Sequence, residues 1–490
     1  LLVLAVILLV PLAVFLIYAE WRQGYRTALA FVVPSAISAL LGLLCRQLFH
    51  KGTPTVFQAS LICALGWLAF SAIGAVVFVI GIRAGYLDGF FETMSGFTTT
   101  GITMFTGLDD MPRSVLFWRS LTQWIGGLGI LTFFLALIEL SGGAHTLFGA
   151  ESHKIDVSRP VPGLINTVKI LWTIYAGFTL LIIVALLLTG VSLYDSVSHS
   201  FTALSTGGFS PYDASIDHYR QSGHPNYIWI EYILVLGMVL GGTNFVVHYR
   251  VLKGSGKALY KSREMKFWWA LIALFVALIF AERLLAQGAL QSGNGFWSTV
   301  ELNFRVILFQ VVGIITTTGF GTRDIGSPAA DPVFFGTMAQ QLFLVMMVIG
   351  GCVGSTGGGI KVLRVAILFE LIRREIYRIV SPRRAISTLV IDGKPVHLDE
   401  IQRVSGLFFA WILLLIVGGG VTALLSSYSG YQCFSGMFSA LGNIGPCYIP
   451  VSGMGELHPL VKIVYAFGML AGRLEILPVL LLFSPRAWKS

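Results

Sequence analysis

Thr98-Thr99-Thr100-Gly101 is the stretch on which the fold turns, because the chain repeats it. Thr316-Thr317-Thr318-Gly319 is a full copy, Leu204-Ser205-Thr206-Gly207 a near copy and Gly442-Asn443-Ile444-Gly445 a worn one. Their last glycines lie 106, 112 and 126 residues apart. Each copy follows a short apolar run that opens near an aromatic residue: Phe90-Phe91, Tyr194, Phe296-Trp297 and Tyr431. Each is followed by polar residues and then a long apolar segment. One Thr-Gly pair would be an ordinary turn or helix cap. Four, at spacings near 110 residues and each with the same flanks, predict four quarters of one pore.

Composition places this repeat in a membrane. Of 490 residues, 55% are hydrophobic and 12% charged, and the mean hydropathy is +0.80. So little charge cannot cover a soluble surface, and apolar runs of about 20 residues recur along the chain. The five cysteines, Cys45, Cys63, Cys352, Cys433 and Cys447, show no metal-ligand spacing and imply no disulfide framework. Histidines such as His145, His153, His199, His218 and His248 show none either, and His199 is read as a packed residue. No catalytic motif is present, so enzymatic chemistry has no support. The numbering opens at Leu1 without methionine, so a few preceding residues are expected, and the first apolar run is expected to be retained as a helix.

Ten spanning helices are expected in an all-α membrane fold. Two come first, at about 1–19 and 28–48. Four pairs then flank the four turns: 59–82 with 114–140, 167–189 with 228–249, 267–286 with 332–372, and 404–426 with 459–484. Within each pair a helix of about 10–14 residues is too short to span and fits a re-entrant segment. The units predicted are an N-terminal extension at 1–50 and four pore repeats at 51–150, 151–252, 253–380 and 381–490. Irregular backbone at membrane depth must be enclosed by protein or line an aqueous cavity, so the turns should meet inside a ring.

Basic residues set the expected orientation. Arg250, Lys253, Lys257, Lys261, Arg263 and Lys266 crowd one connection; Lys361, Arg364, Arg373, Arg374, Arg378, Arg383, Arg384, Lys394 and Arg403 crowd another. Acids follow the turns instead: Asp109-Asp110, Asp213, Asp217, Asp324 and Asp331. The positive-inside rule puts the basic connections and both termini, including Arg486-Ala487-Trp488-Lys489, in the cytoplasm and the turns outside. The net charge of +9 is then a topology signal, and a nucleic-acid partner is not implied.

Threonine and glycine suit a cation pore. A dehydrated cation regains ligands from backbone carbonyls, which add no net charge. Aiming successive carbonyls at one axis needs backbone of both hands, which glycine permits. A helix that points its C-terminal end at the axis adds partial negative charge there. A second feature is Gly350-Gly351-Cys352-Val353-Gly354-Ser355-Thr356-Gly357-Gly358-Gly359, with six glycines in ten residues. Glycine disfavours helix by about 1 kcal/mol per residue relative to alanine, so the span 332–372 should break there. A phosphate-binding loop is excluded because Ile360 separates Gly359 from Lys361 and Val362 follows. Close helix packing is an alternative use of such small residues. Arg473, read as lying well inside the span 459–484, must face a cavity or a partner. A structural ion pair with Glu139 or Glu370 is one solution, and a barrier to cations beside the glycine loop is another.

These motifs, with Ser95-Gly96-Phe97 before the first turn, Gly207-Gly208-Phe209-Ser210, Asn443-Ile444-Gly445-Pro446 and Gly472-Arg473-Leu474-Glu475, resemble the Trk/Ktr/HKT superfamily of potassium transporters, specifically the membrane subunit of its Trk-type branch. The leading helix pair also looks like that branch's N-terminal extension. The resemblance implies a pseudo-fourfold potassium pore in each subunit, a homodimer in the cell's inner membrane, and a cytoplasmic, nucleotide-binding, TrkA-like regulatory ring on the basic connections. It implies filter glycines at Gly101, Gly207, Gly319 and Gly445, with Thr100, Thr206, Thr318 and Ile444 beside them as ion-binding positions. Sodium-preferring relatives carry serine at the first of these, so four glycines favour potassium. The loop would be the gate, with Gly350, Gly351, Gly354, Ser355, Thr356, Gly357, Gly358, Gly359 and Arg473 as its residues. Asn443-Ile444 departs from the pattern and predicts a less regular fourth quarter. One shared glycine per turn predicts one or two ion sites and modest preference over sodium. No cofactor beyond the transported potassium ion is expected. The alternative function is a proton- or sodium-coupled carrier, although such folds are usually built on inverted or doubled repeats.

Overall fold

Long apolar runs without helix breakers fold as single helices, and runs holding a cap residue or clustered glycines do not. The computed structural model describes residues 1–48, 56–140, 164–285, 296–326, 334–382 and 387–484. His145, His153, Asp331, Arg383, Arg384 and the closing 486–489 lie outside them. Among the described residues six helices are long and apolar enough to cross a membrane: Arg26–Leu48, Gln58–Ile82, Asn166–Leu188, Arg263–Leu285, Phe296–Ile315 and Leu398–Leu425. A further helix runs unbroken over Arg113–Leu140. The fold is that of an all-α membrane protein, with one small addition. Val390–Ile391 and Lys394–Pro395 pair antiparallel, around Asp392 and Gly393 at φ +49° and +77°. Asp-Gly supplies the left-handed pair of conformations that a tight hairpin turn requires.

Four expected spans are broken, each for a local reason. Residues 1–19 form Leu2–Ile7 and Pro11–Ile17; Pro11 has no N–H to continue the first helix and instead opens the second. The segment 332–372 breaks as its glycines require, into Thr337–Val348 and Val362–Val380. The span 228–249 breaks where the sequence reading drew a straight helix. Tyr227–Gly242 and Phe245–Leu252 meet at 104°, because Thr243 is extended and the Asn244 side chain caps the second helix by accepting from Val246 N. The expected helix over 459–484 also ends early. Pro459–Leu474 stops at Glu475, whose φ of +66° interrupts the chain before Ile476–Leu480. Arg473 therefore lies in a last helical turn, which corrects the mid-helix position read from the sequence.

Four helices end at the four Thr/Gly turns: Tyr86–Phe97, Leu193–Leu204, Phe296–Ile315 and Gly430–Gly442. Three have 12 or 13 residues, as expected. The third has 20 and extends farther from its turn. Their starts are encoded locally. Ser192 accepts from Asp195 N, and Ser429 with Gln432 forms a reciprocal capping box. Most buried apolar side chains of the first and fourth quarters share one core and most of those of the second and third another, which Ile444 and Tyr448 of the fourth quarter also join. Val353 of the glycine-rich loop packs with Leu363, Ile367 and the hairpin in a third.

Candidate functional site

The four turns share one backbone path. In each, an N–H bonds to the carbonyl five residues back: Thr100 to Ser95, Gly207 to Thr202, Thr318 to Gly313 and Ile444 to Ser439, at 2.8–3.0 Å. The residue before each of these is left-handed, with φ of +50° at Thr99, +53° at Thr206, +61° at Thr317 and +54° at Asn443. The residue after each is a glycine of positive φ: Gly101, Gly208, Gly319 and Gly445. This register moves the second turn by one residue from the sequence reading. Gly208, and not Gly207, stands with the other three glycines; Gly207 stands with Thr100, and Thr206 with Thr99. The near copy misled because Thr206-Gly207 imitates Thr100-Gly101 one position early. Left-handed threonine is strained by about 1–3 kcal/mol per residue, and three such residues clustered in one place mark a site.

The turns close a ring. A Cβ on Gly101 would collide with the Gly207 carbonyl oxygen, one on Gly208 with that of Thr318, and one on Gly319 with that of Ile444. On Gly445 it would lie 3.0 Å from the Thr100 oxygen. Each glycine thus abuts the residue that precedes the glycine of the next turn, in the order first, second, third, fourth, first. Only a residue without Cβ fits at three of these joints, quite apart from φ. The joint between the fourth and first turns is the looser one. Since all four helices end at this ring, their partially negative ends converge on it.

Different side chains brace equivalent turns. Thr98 and Thr316 hydroxyls bond those of Thr100 and Thr318 at 2.8 and 2.7 Å. Asn443 Nδ2 donates to Thr100 Oγ1 and to Met469 O, both at 2.9 Å, so the divergent fourth turn ties itself to the first. At the second turn Gln123 Nε2 donates to Gly207 O at 2.6 Å, and Gln123 Oε1 accepts from Phe209 N at 3.0 Å. Behind the first turn, Glu92 accepts from Thr103 Oγ1, Met104 N and Arg119 Nε. Arg119 Nη1 passes the tie to Ser210 O, after the second turn. Such buried carboxylate–guanidinium pairs need every hydrogen bond satisfied to be tolerable.

The glycine-rich loop packs against the helix side of the ring. Thr356 N and Oγ1 donate to Gly241 O, and Cys352 N donates to Gly242 O at 2.9 Å. The break at Thr243–Asn244 lies beside these acceptors, because ending the helix there leaves its last carbonyls free. Thr356 Oγ1 lies 3.2 Å from Thr206 Oγ1, and Gly358 N donates to Thr317 Oγ1 at 2.8 Å. A Cβ on Gly358 would collide with Asn443, so the loop touches the second, third and fourth turns. Two cations grip its carbonyls: Arg473 Nη1 donates to Thr356 O and Lys361 Nζ to Gly357 O, each at 2.5 Å. Arg473 Nη2 also donates to Gly126 O at 3.0 Å. Glu370 pairs with Arg263 instead, and Glu475 with Arg364 at 2.6 Å. Glu264 accepts from Val353 N at 2.7 Å. Ser355 works within the loop, its hydroxyl accepting from Gly357 N. A Cβ on Gly350 would collide with the Gly358 carbonyl oxygen, while Gly354 and Gly359 have positive φ.

On its other side the ring opens into a cavity of about 580 Å³, lined by the four glycines of positive φ, by Asp213, Asp217 and Asp324, and by Arg119 and Arg323. Asp217 binds Arg220 through both oxygens at 2.7 Å. Burial alone would raise its carboxyl, but the bonds from Arg220 and Gln221 bring it below the ordinary carboxylate value. Asp217 therefore stays charged through mild acid. A ring of carbonyls, a polar mouth and a loop held by cations can together admit, bind and obstruct a cation.

Comparison with known proteins bears on the same chain. A family model described as a cation transport protein, TrkH, matches residues 24–490. This chain belongs to the TrkH family. The Trk system potassium uptake protein TrkH of Escherichia coli (strain K12) is 31% identical over 490 residues, covering 99% of this chain and 96% of the relative. That of Vibrio parahaemolyticus is 32% identical over 496 residues, with the same coverage. The crystal structure of the potassium transporter TrkH from Vibrio parahaemolyticus matches with a TM-score of 0.84 at 30% identity, over 99% of this chain and 97% of that one. The TrkH family comprises multi-pass membrane transporters rather than enzymes.

Gln123 and Asn244 were not singled out in the sequence, and Lys361, counted there among the basic residues of a connection, is buried against the loop. The available signal was a polar side chain at membrane depth, where burial without a purpose is costly.

Proposed function

We propose that this chain carries potassium into the cell across the inner membrane, through a gated pore formed by one subunit. The observation that carries this reading is the closed ring of four equivalent turns with the glycine-rich loop packed against one side. The ion would be held at the level of Thr100, Gly207, Thr318 and Ile444, by their carbonyls, beside Gly101, Gly208, Gly319 and Gly445. Acids in the outer cavity would raise the local concentration of cations. Below the ring, the loop over 350–359 would be the gate. Its Thr356 and Gly357 carbonyls, which could ligand a cation, are instead taken by Arg473 and Lys361. Positive charge at that point would add to the steric barrier.

The basic connections 250–266 and 361–403 face the cytoplasm with both termini in this arrangement. They would receive a nucleotide-binding, TrkA-like ring, and the subunit would act as a homodimer. The test is rubidium and potassium flux into liposomes holding the purified protein, with and without a pH or sodium gradient. Passive flux of both ions is expected. Uptake that occurs only with a proton or sodium gradient would overturn the pore in favour of a coupled carrier.

A further inference from the structure

The four carbonyls that meet the ring glycines are not chemically alike. Among the described residues, those of Thr100, Thr318 and Ile444 accept no hydrogen bond, whereas Gly207 O accepts one from Gln123 Nε2 at 2.6 Å. Gln123 is fully buried and uses both ends of its amide on the same turn, since Oε1 accepts from Phe209 N. The fit is steric as well. A Cβ on Gly207 would collide with the Gln123 amide, so the glycine is what lets the amide reach the backbone. Thr100 and Thr318, at the same turn position, carry side chains that brace their turns from within.

Helix equivalence shows that the amide is a special provision. A Cβ on Gly126, Gly241 or Gly472 would in each case meet the carbonyl three residues before the Thr100, Gly207 or Ile444 position of its own quarter, on Phe97, Leu204 and Leu441. Those glycines are therefore structural counterparts. Three residues before each lie Gln123, Met238 and Met469. Methionine serves at the other two places, so packing alone does not call for an amide.

We infer that Gln123 is a specificity-determining positioning residue: it anchors the Gly207 carbonyl so that this quarter of the ring cannot follow a small ion inward. The inference rests on the reading that the transported ion passes the ring. A carbonyl ring discriminates against sodium only if its oxygens resist closing around the smaller ion. In this ring Gly207 O is the oxygen with a side-chain restraint against that closure, on the turn whose own residue lacks a bracing side chain.

The test uses Gln123→Met and Gln123→Leu, which replace the amide by an apolar side chain of similar size, with Met238→Leu as a packing control. Inhibition of rubidium uptake by sodium and by potassium is measured in liposomes. A single net hydrogen bond of about 1 kcal/mol predicts that sodium competes roughly fivefold better in both Gln123 variants, and no better in the Met238 control. Sodium competition that is unchanged or weaker overturns the inference. For variants with little flux, ion preference is read as the difference in melting temperature between potassium and sodium chloride. Loss of the preferential stabilisation by potassium supports the anchor, and its retention overturns it. That equilibrium measurement does not depend on passive flux, so failure of the pore reading and failure of the Gln123 inference are told apart.

Discussion

The ring and the loop against it are both irregular backbone among spanning helices, yet they are held in opposite ways. Every turn of the ring repeats one five-residue hydrogen bond and one left-handed residue, and each glycine joint fits against the next turn. The loop repeats nothing. It is held by a few bonds from different helices, including Arg473, Lys361, Glu264 and the carbonyls of Gly241 and Gly242. Deforming one turn disturbs its neighbours around the circle, whereas the loop's contacts can be given up on one side. The difference supports the proposed division, with shape given to the ring and movement to the loop.

The largest effect should come from breaking the ring. Gly208→Ala and Gly319→Ala add a Cβ against a neighbouring carbonyl at positive φ, and should lower rubidium flux in liposomes by roughly a hundredfold. Gly207→Ala violates space but not φ. It should be milder, and Gln123→Ala in the same chain should restore much of the flux. A Gly207→Ala defect as deep as that of Gly208→Ala, and not restored, would contradict the register. On the loop side, Arg473→Ala should raise flux without the regulatory ring by roughly tenfold, since a cation and two carbonyl bonds are lost. Unchanged or lower flux at normal expression would remove Arg473 from the gate. Lys361→Met frees Gly357 O and should raise flux by roughly threefold; an effect above that of Arg473→Ala would reverse their order. Smallest of all, Glu264→Gln keeps an acceptor for Val353 N and should leave the melting temperature nearly unchanged. Glu264→Leu orphans that N–H, at a cost of about 1–3 kcal/mol. Equal melting temperatures for the two would show that this bond does not hold the loop.

Much of the fold was legible in the residues themselves. Apolar length, the fourfold return of Thr and Gly, and the six glycines of 350–359 act through local backbone energetics or bulk transfer, which a single strand of text records. The serine caps at Ser192 and Ser429 are of the same kind. The break after Gly242 was signalled by Asn244 but obscured by the apolar residues on either side. That after Leu474 had no such signal: Glu475 takes a left-handed conformation, which it does not favour locally, with its carboxylate bound to Arg364, 111 residues away.

What the sequence alone determined is the class of protein, the four turns and the existence of a broken span. Only the tertiary structure decided that Gly208 rather than Gly207 completes the glycine set, that Gln123 restrains one carbonyl of four, and that Arg473 and Lys361 occupy the loop's oxygens. Backbone hand depends on a residue and its neighbours, so it is written locally. Which donor reaches which carbonyl depends on side chains brought together from distant parts of the chain, 84 residues apart for Gln123 and Gly207 and 117 for Arg473 and Thr356. Helix packing is what closes those separations into contacts.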